Sequence, residues 1–82
     1  MQKTITLDKT ELNDINTQEI LRNVAINLEE RGYDSIKQIA GYLISGDPGY
    51  ISNYKESRNQ ITKLNRQTAI ELMLKKYIKW DI

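Results

Sequence analysis

Between two helical patterns the chain carries Ser45-Gly46-Asp47-Pro48-Gly49-Tyr50-Ile51, and this stretch limits the architecture more than any other. Glycine at 46 suits the left-handed residue that ends a helix, a conformation other residues adopt only at a cost. Asp47 is a helix-capping residue type, and Pro48 fits a first helical position, where its missing N–H costs nothing. A stop and a start placed this close fix the angle between two elements instead of linking them loosely. The segment brings no nucleophile, metal-ligand set or phosphate cradle, so it predicts architecture and not chemistry.

With 82 residues the chain predicts a single domain with a modest core, because small chains bury a smaller share of their surface. It has no Phe and one Trp, and its bulky apolar residues are mostly Ile and Leu. Such a core needs reinforcement, and without cysteine to crosslink it, self-association is the natural kind. The absence of Cys and His excludes disulfides, thiolate zinc sites and every Ser-His or Cys-His nucleophile. Glu29 and Glu30 are neighbours on a helix, so their carboxylates diverge instead of converging on a substrate. The expectation is a protein that is not an enzyme and uses no cofactor and no metal. No apolar run is long enough to cross a bilayer and no secretory signal opens the chain, which predicts a cytoplasmic location and no membrane partner.

Helical periodicity dominates after residue 14. Residues 1–14, rich in Thr and charge, lack an apolar stripe and predict a flexible regulatory tail. A first helix is expected from Asn16, which has capping-box spacing to Glu19, while Ile15 and Ile20 are spaced as a hydrophobic staple. Ile20, Leu21, Val24, Ala25 and Leu28 form its stripe, Ile26 falls outside it, and Gly32 ends the helix. A second helix is expected from a Ser35–Gln38 capping box to Ser45, burying Ile36, Ile39, Ala40, Leu43 and Ile44; Gly41 within it suggests close approach of a neighbouring helix. In a third, after Asp47-Pro48, the residues Tyr50, Tyr54, Ser57, Ile61 and Leu64 form a narrow seam. Asn65 caps a fourth, on which Ala69, Ile70, Met73, Leu74, Tyr77, Ile78 and Trp80 cover more of the cylinder than one small neighbour would. The fold expected is all-α: a compact bundle of about four helices with a flexible N-terminal tail, homodimeric through the fourth helix, residues 15–82 forming the dimerisation and partner-binding domain.

Three groups of residues could carry function. Lys55, Arg58, Lys63 and Arg66 form a basic set, with Lys55, Lys63 and Arg66 on one broad face of the third helix and Arg58 at its border, placed for bidentate pairing with a carboxylate or phosphate. The plainer reading is a solvated face with one structural ion pair. Residues 1–34 carry four Lys/Arg against seven Asp/Glu, and residues 35–82 eight against four; this asymmetry suits self-association or an acidic partner and argues against general nucleic-acid binding. Thr4, Thr6 and Thr10 are accessible hydroxyls where phosphorylation would add about −1.5 to −2 charge each. Tyr33, Tyr42, Tyr50, Tyr54 and Tyr77 serve either an interface or a core that lacks Phe.

Leu28-Glu29-Glu30-Arg31-Gly32-Tyr33, the run from Gln38 through Gly41-Tyr42-Leu43 and Ser45-Gly46-Asp47-Pro48 to Tyr50-Ile51, and Arg58, Ile61, Leu64 and Arg66 together resemble the IreB-type regulatory phosphoprotein family of Gram-positive bacteria. The likeness spans roughly residues 17–78. It implies a small cytoplasmic helical homodimer without enzymatic activity. A membrane PASTA-domain Ser/Thr kinase would phosphorylate it on an N-terminal threonine. That switch would affect peptidoglycan synthesis and antibiotic tolerance, in some members through Clp-protease turnover of an early cell-wall enzyme. The family acceptor lies in a Thr-x-x-Phe-like setting, whose place is taken by Lys3-Thr4-Ile5-Thr6-Leu7; Thr4 is the first candidate, with Thr6 and Thr10 behind it. Arg58 and Arg66 fall where the family carries arginine. Ser52, Ser57 and Thr62 replace a usual Pro, Ala and basic residue, which thins the basic patch.

The function expected is therefore a non-enzymatic regulatory phosphoprotein with a partner-binding surface at Asp47, Pro48, Tyr50, Arg58 and Arg66. The alternative is a small helical nucleic-acid-binding protein using the basic face of the third helix.

Overall fold

The computed structural model describes the backbone of residues 9–78 and the side chains of residues 15–78. Its elements are α1 (Lys9–Glu30), α2 (Ser35–Ser45), two single 3-10 turns (Pro48–Tyr50 and Tyr54–Glu56), α3 (Ser57–Ile61) and α4 (Arg66–Ile78), with no strand among the described residues. The all-α bundle is as the sequence implied. The long helix α1 is its spine, packing against α2, α3 and α4. Val24 and Leu28 on α1 are fully buried, and Ile39, Tyr42 and Leu43 of α2, Ile61 of α3, Leu64 and Ala69 close around them. Ile51, which the sequence patterns left unassigned, is also fully buried. Each such side chain removes apolar surface worth about 1.5–3 kcal/mol from water.

Helix α1 starts at Lys9, well before the expected Asn16, and Asn16 and Glu19 lie exposed within it. Asn, Asp and Thr favour caps when the helix has a free choice of ends, but a helix already nucleated in its packed part extends through such residues at little cost. At its far end Gly32, with φ 84°, takes the left-handed conformation, and Tyr33 N–H donates to Leu28 O at 2.9 Å. The start of α2 is built by different residues from those expected. Asp34 is the N-cap, accepting from Lys37 N–H at 3.1 Å. Ser35 is buried and donates both its hydroxyl (2.6 Å) and its N–H (3.2 Å) to Glu29 Oε2, tying α2 to α1. Gln38 instead accepts from Ser52 N–H at 2.9 Å.

The buried stripe of α2 is also rotated from the expectation. Ser35, Ile39, Tyr42 and Leu43 face inward, whereas Ile36 is 74% and Ile44 83% exposed. Hydrophobicity alone favoured the isoleucine row. The chain buries Tyr42 instead, because the corner that follows α2 packs on the tyrosine side.

The expected third helix is broken. Lys55 and Glu56 both have left-handed backbone, with φ 52° and 62°, at about 1 kcal/mol or more each for residues that carry a Cβ. Local bonds offset that cost: Ser57 Oγ donates to Tyr54 O at 2.6 Å, Asn59 Nδ2 to Glu56 Oε1 at 2.6 Å, and Gln60 Nε2 to Lys55 O at 3.2 Å. Glu30, at the end of α1, accepts from the Tyr54 hydroxyl at 3.0 Å and pairs with Lys55 Nζ at 2.7 Å. The guanidinium of Arg31 and the ammonium of Lys55 both lie over the Tyr54 ring, 5.3 and 5.6 Å from its centre. Asn65 caps α4 as anticipated, its Oδ1 accepting from Thr68 N–H at 2.9 Å.

Two expectations follow from these contacts. Ile61→Ala should cost about 2–5 kcal/mol in urea unfolding, whereas Ile26→Ala, on the exposed side of α1, should change stability by less than about 0.5 kcal/mol. Hydrogen bonds from Lys55 and Tyr54 hold the Glu30 carboxyl below its usual 4.5, and Glu30 holds Lys55 above its usual 10.5. The carboxylate's contribution is present above pH 4.5 and lost as pH falls through its lowered value; the ammonium's is present below 10.5 and lost as pH rises through its raised value. The stability gap between wild type and Glu30→Gln should therefore be flat at neutral pH and close on acidification.

Candidate partner-binding corner

The corner begins where α2 runs out of carbonyl partners. Gly46, with φ 76°, turns left-handed, and its N–H donates to Tyr42 O at 2.7 Å. The Ser45 hydroxyl donates to Gly41 O at 2.7 Å and accepts from Asp47 N–H at 3.0 Å. Asp47 then caps, as its residue type implied, but what it caps is a 3-10 turn: its Oδ1 accepts from Gly49 N–H at 2.8 Å, with Pro48 first in the turn. Ile51 N–H closes that turn on Pro48 O at 2.9 Å and drops its side chain into the core.

Two glycines let side chains close down on the end of α2. A Cβ at Gly41 would lie 2.5 Å from the Tyr50 ring, so the close approach inferred there is an aromatic ring from the corner, not a neighbouring helix. A Cβ at Gly46 would lie 2.8 Å from the Arg66 guanidinium. Arg66 Nη1 donates to Leu43 O at 3.0 Å, satisfying one of the last carbonyls of α2 and placing positive charge at its negative end. From the other side Arg58 Nε donates to Ile51 O at 2.9 Å. The corner is thus held at both ends by arginines that sequence reasoning had selected for another reason.

Asp47, Pro48, Tyr50, Arg58 and Arg66 therefore converge on one structural feature. Pro48 is half-buried; the other four are exposed, Tyr50 at 53%. Among the described residues neither arginine makes an ion pair; that bond is confined to Lys55 and Glu30. The basic face expected on helix three does not form, because that helix is interrupted, Lys55 is committed to Glu30, and Lys63 lies in the turn after α3 beside a polar cavity of about 310 Å³. Thr4 and Thr6 lie outside the described residues, and Thr10 falls on the helical backbone of α1 with its side chain outside them.

A second surface is apolar. The α2 and α4 helices flank α1 and leave a groove of about 350 Å³ lined by Leu21, Arg22, Ala25, Ile36, Ala40 and Met73 among others. Beyond it α4 exposes Leu74, Ile78 and Tyr77, the last at 88%. Ala69 alone on α4 is fully buried, so the described residues leave much of the wide stripe of that helix uncovered. No helix among the described residues is long and apolar enough to cross a membrane.

Gly41→Ala gives a direct check on the corner. The added methyl must displace the Tyr50 ring, since two carbons cannot sit at 2.5 Å. The expected result is a destabilisation of about 1–3 kcal/mol, despite alanine's better helix propensity, with amide shifts at Tyr50 and Ile51. A stabilised variant with unmoved Tyr50 signals would contradict the packing described.

The arrangement offers hydrogen-bond donors, a half-exposed ring and a rigid turn, which is the chemistry of recognition. Residues 2–79, nearly the whole chain and including the corner and both arginines, match the family model described as IreB regulatory phosphoprotein. The chain belongs to the IreB regulatory phosphoprotein family.

Proposed function

We propose that this regulatory phosphoprotein works as a non-catalytic switch, in which phosphate on an N-terminal threonine changes how the corner engages a partner protein. Thr4 is the first acceptor, ahead of Thr6 and Thr10, and the modifying enzyme is a PASTA-domain Ser/Thr kinase. The output is control of cell-wall synthesis and antibiotic tolerance in the cytoplasm, through a client whose Clp-dependent turnover the protein influences. The observation that carries the partner-binding part is the state of Arg58 and Arg66: both are exposed residues, each spends one N–H on a backbone carbonyl, and neither has a carboxylate partner among the described residues. The phosphate part rests on the family and on the threonines near the start of the chain.

The working unit in this proposal is a homodimer. The uncovered apolar stripe of α4 and the exposed Ile36 and Ile44 support it, since apolar faces of this breadth are characteristic of interfaces. The nucleic-acid alternative loses its main support, because the helix meant to present a continuous basic face is interrupted at Lys55 and Glu56.

Two measurements test the reading. Phosphopeptide mapping of the protein from its own cells, in growth and under cell-wall stress, should find phosphate on Thr4 whose occupancy changes with stress; its absence in both conditions would refute the switch. Sedimentation of Ile36→Asp should give a helical monomer where the wild type gives a dimer. A wild type that sediments as a monomer at high concentration would remove the dimer from the account.

A further inference from the structure

What chemistry the corner recognises can be narrowed by asking which donor edges remain free. A guanidinium presents two edges able to hold both oxygens of a carboxylate: the end-on Nη1–Nη2 edge and the side-on Nε–Nη2 edge. Arg58 bonds Ile51 O through Nε, which leaves its end-on edge intact. Arg66 bonds Leu43 O through Nη1, which leaves its side-on edge intact. The backbone bonds restrain both side chains in advance, so less rotamer entropy is lost when a ligand arrives.

No described side chain bonds to those edges. Asp47 is the acid closest in sequence to the turn, and its Oδ1 is committed to Gly49 N–H. No described carboxylate pairs with either arginine. The Tyr50 ring of the same corner, which lies against Gly41, is also exposed. An exposed aromatic ring on the same corner as two restrained cations suits an amphipathic ligand with acidic groups.

We infer that the corner binds a short acidic segment of a partner protein, with carboxylates pairing to the free edges of Arg58 and Arg66 and an apolar or aromatic side chain resting on Tyr50. This inference rests on the reading of the corner as the partner surface, and it adds the ligand's chemistry. Carboxylates gain from the planar two-point match, so replacing either arginine with lysine removes affinity although the charge is kept. With two cations engaged, the salt dependence is shallow compared with that of a nucleic-acid binder.

The test uses the full chain and a defined probe. A Glu-Glu-Trp-Glu-Glu peptide is titrated into ¹⁵N-labelled protein, following backbone amides and arginine Nε–H signals. Its Gln-Gln-Trp-Gln-Gln counterpart and inorganic phosphate serve as separate arms. The expected result is saturable shifts at residues 43–51 and at the Nε–H signals of Arg58 and Arg66 with the acidic peptide alone, weakened by about tenfold in Arg58→Lys and in Arg66→Lys. Tyr50→Ser should weaken the same peptide while leaving both arginine signals in place.

Absence of shifts at the corner overturns the inference, as does equal binding of the Gln peptide. Shifts that map instead to the α1–α2–α4 groove would place the ligand on the apolar face and also overturn it. Tighter binding of inorganic phosphate at both arginines would replace the carboxylate partner with a phosphorylated one. The peptide experiment is independent of Thr4 modification. A chain that binds the peptide but is never phosphorylated keeps this inference and loses the switch, and the converse result does the opposite.

Discussion

The left-handed turn at Gly46 is the constraint on which the rest of the structure depends. With φ at 76° the backbone conformation favours glycine, and a Cβ there, 2.8 Å from the Arg66 guanidinium, would push that side chain off its place. Because α2 stops there, the chain doubles back within a few residues, Tyr50 reaches Gly41, and Ile51 enters the core beneath. Because Gly46 leaves room, Arg66 can reach Leu43 O and join the start of α4 to the end of α2. Arg58 repeats the operation on Ile51 O from α3. A small core without Phe or disulfides is thereby closed by charge-assisted bonds to backbone carbonyls, each of a kind worth about 1.5–3 kcal/mol when desolvated and less where water reaches it.

Features set by one or two residues were legible in the sequence. Gly46, Asp47, Pro48 and Asn65 act much as their residue types imply, because local stereochemistry leaves few alternatives. Features set by competition were not. The start of α1 depends on whether extension of an already nucleated helix outweighs the capping preferences of Asn16 and its neighbours. The phase of α2 depends on whether the core takes Tyr42 or the Ile36–Ile44 row, and the corner decides that. The break in the expected third helix had no glycine or proline to announce it: Lys55 and Glu56 enter the left-handed region under the pull of Glu30 and of the bonds from Ser57, Asn59 and Gln60. The same misreading explains why a basic helical face was expected where none forms. Ile51, a lone apolar residue after a turn, belonged to no period and so gave no sign of its burial.

The five corner residues were chosen from motif chemistry and likeness to a family, and the fold gives them a physical relationship that the sequence did not express. Arg58 and Arg66 are simultaneously braces and exposed donors. That double use means recognition and stability cannot be separated by alanine substitution alone. The apolar stripe of α4 and the exposed isoleucines of α2 form a second surface, distinct in chemistry from the corner. The proposal gives these surfaces different tasks, self-association for the apolar one and partner recognition for the polar one.

The central claim is that the corner is a pre-formed, rigid surface held by its two arginines, and amide hydrogen exchange measures that most directly. In the wild type the N–H groups of Gly46 and Ile51, bonded to Tyr42 O and Pro48 O, should be protected to a level comparable with the buried part of α2. In Arg66→Lys that protection should fall at the corner while remaining in α1. Exchange at Gly46 and Ile51 as fast as in an unstructured peptide, with Arg66 intact, would contradict the account.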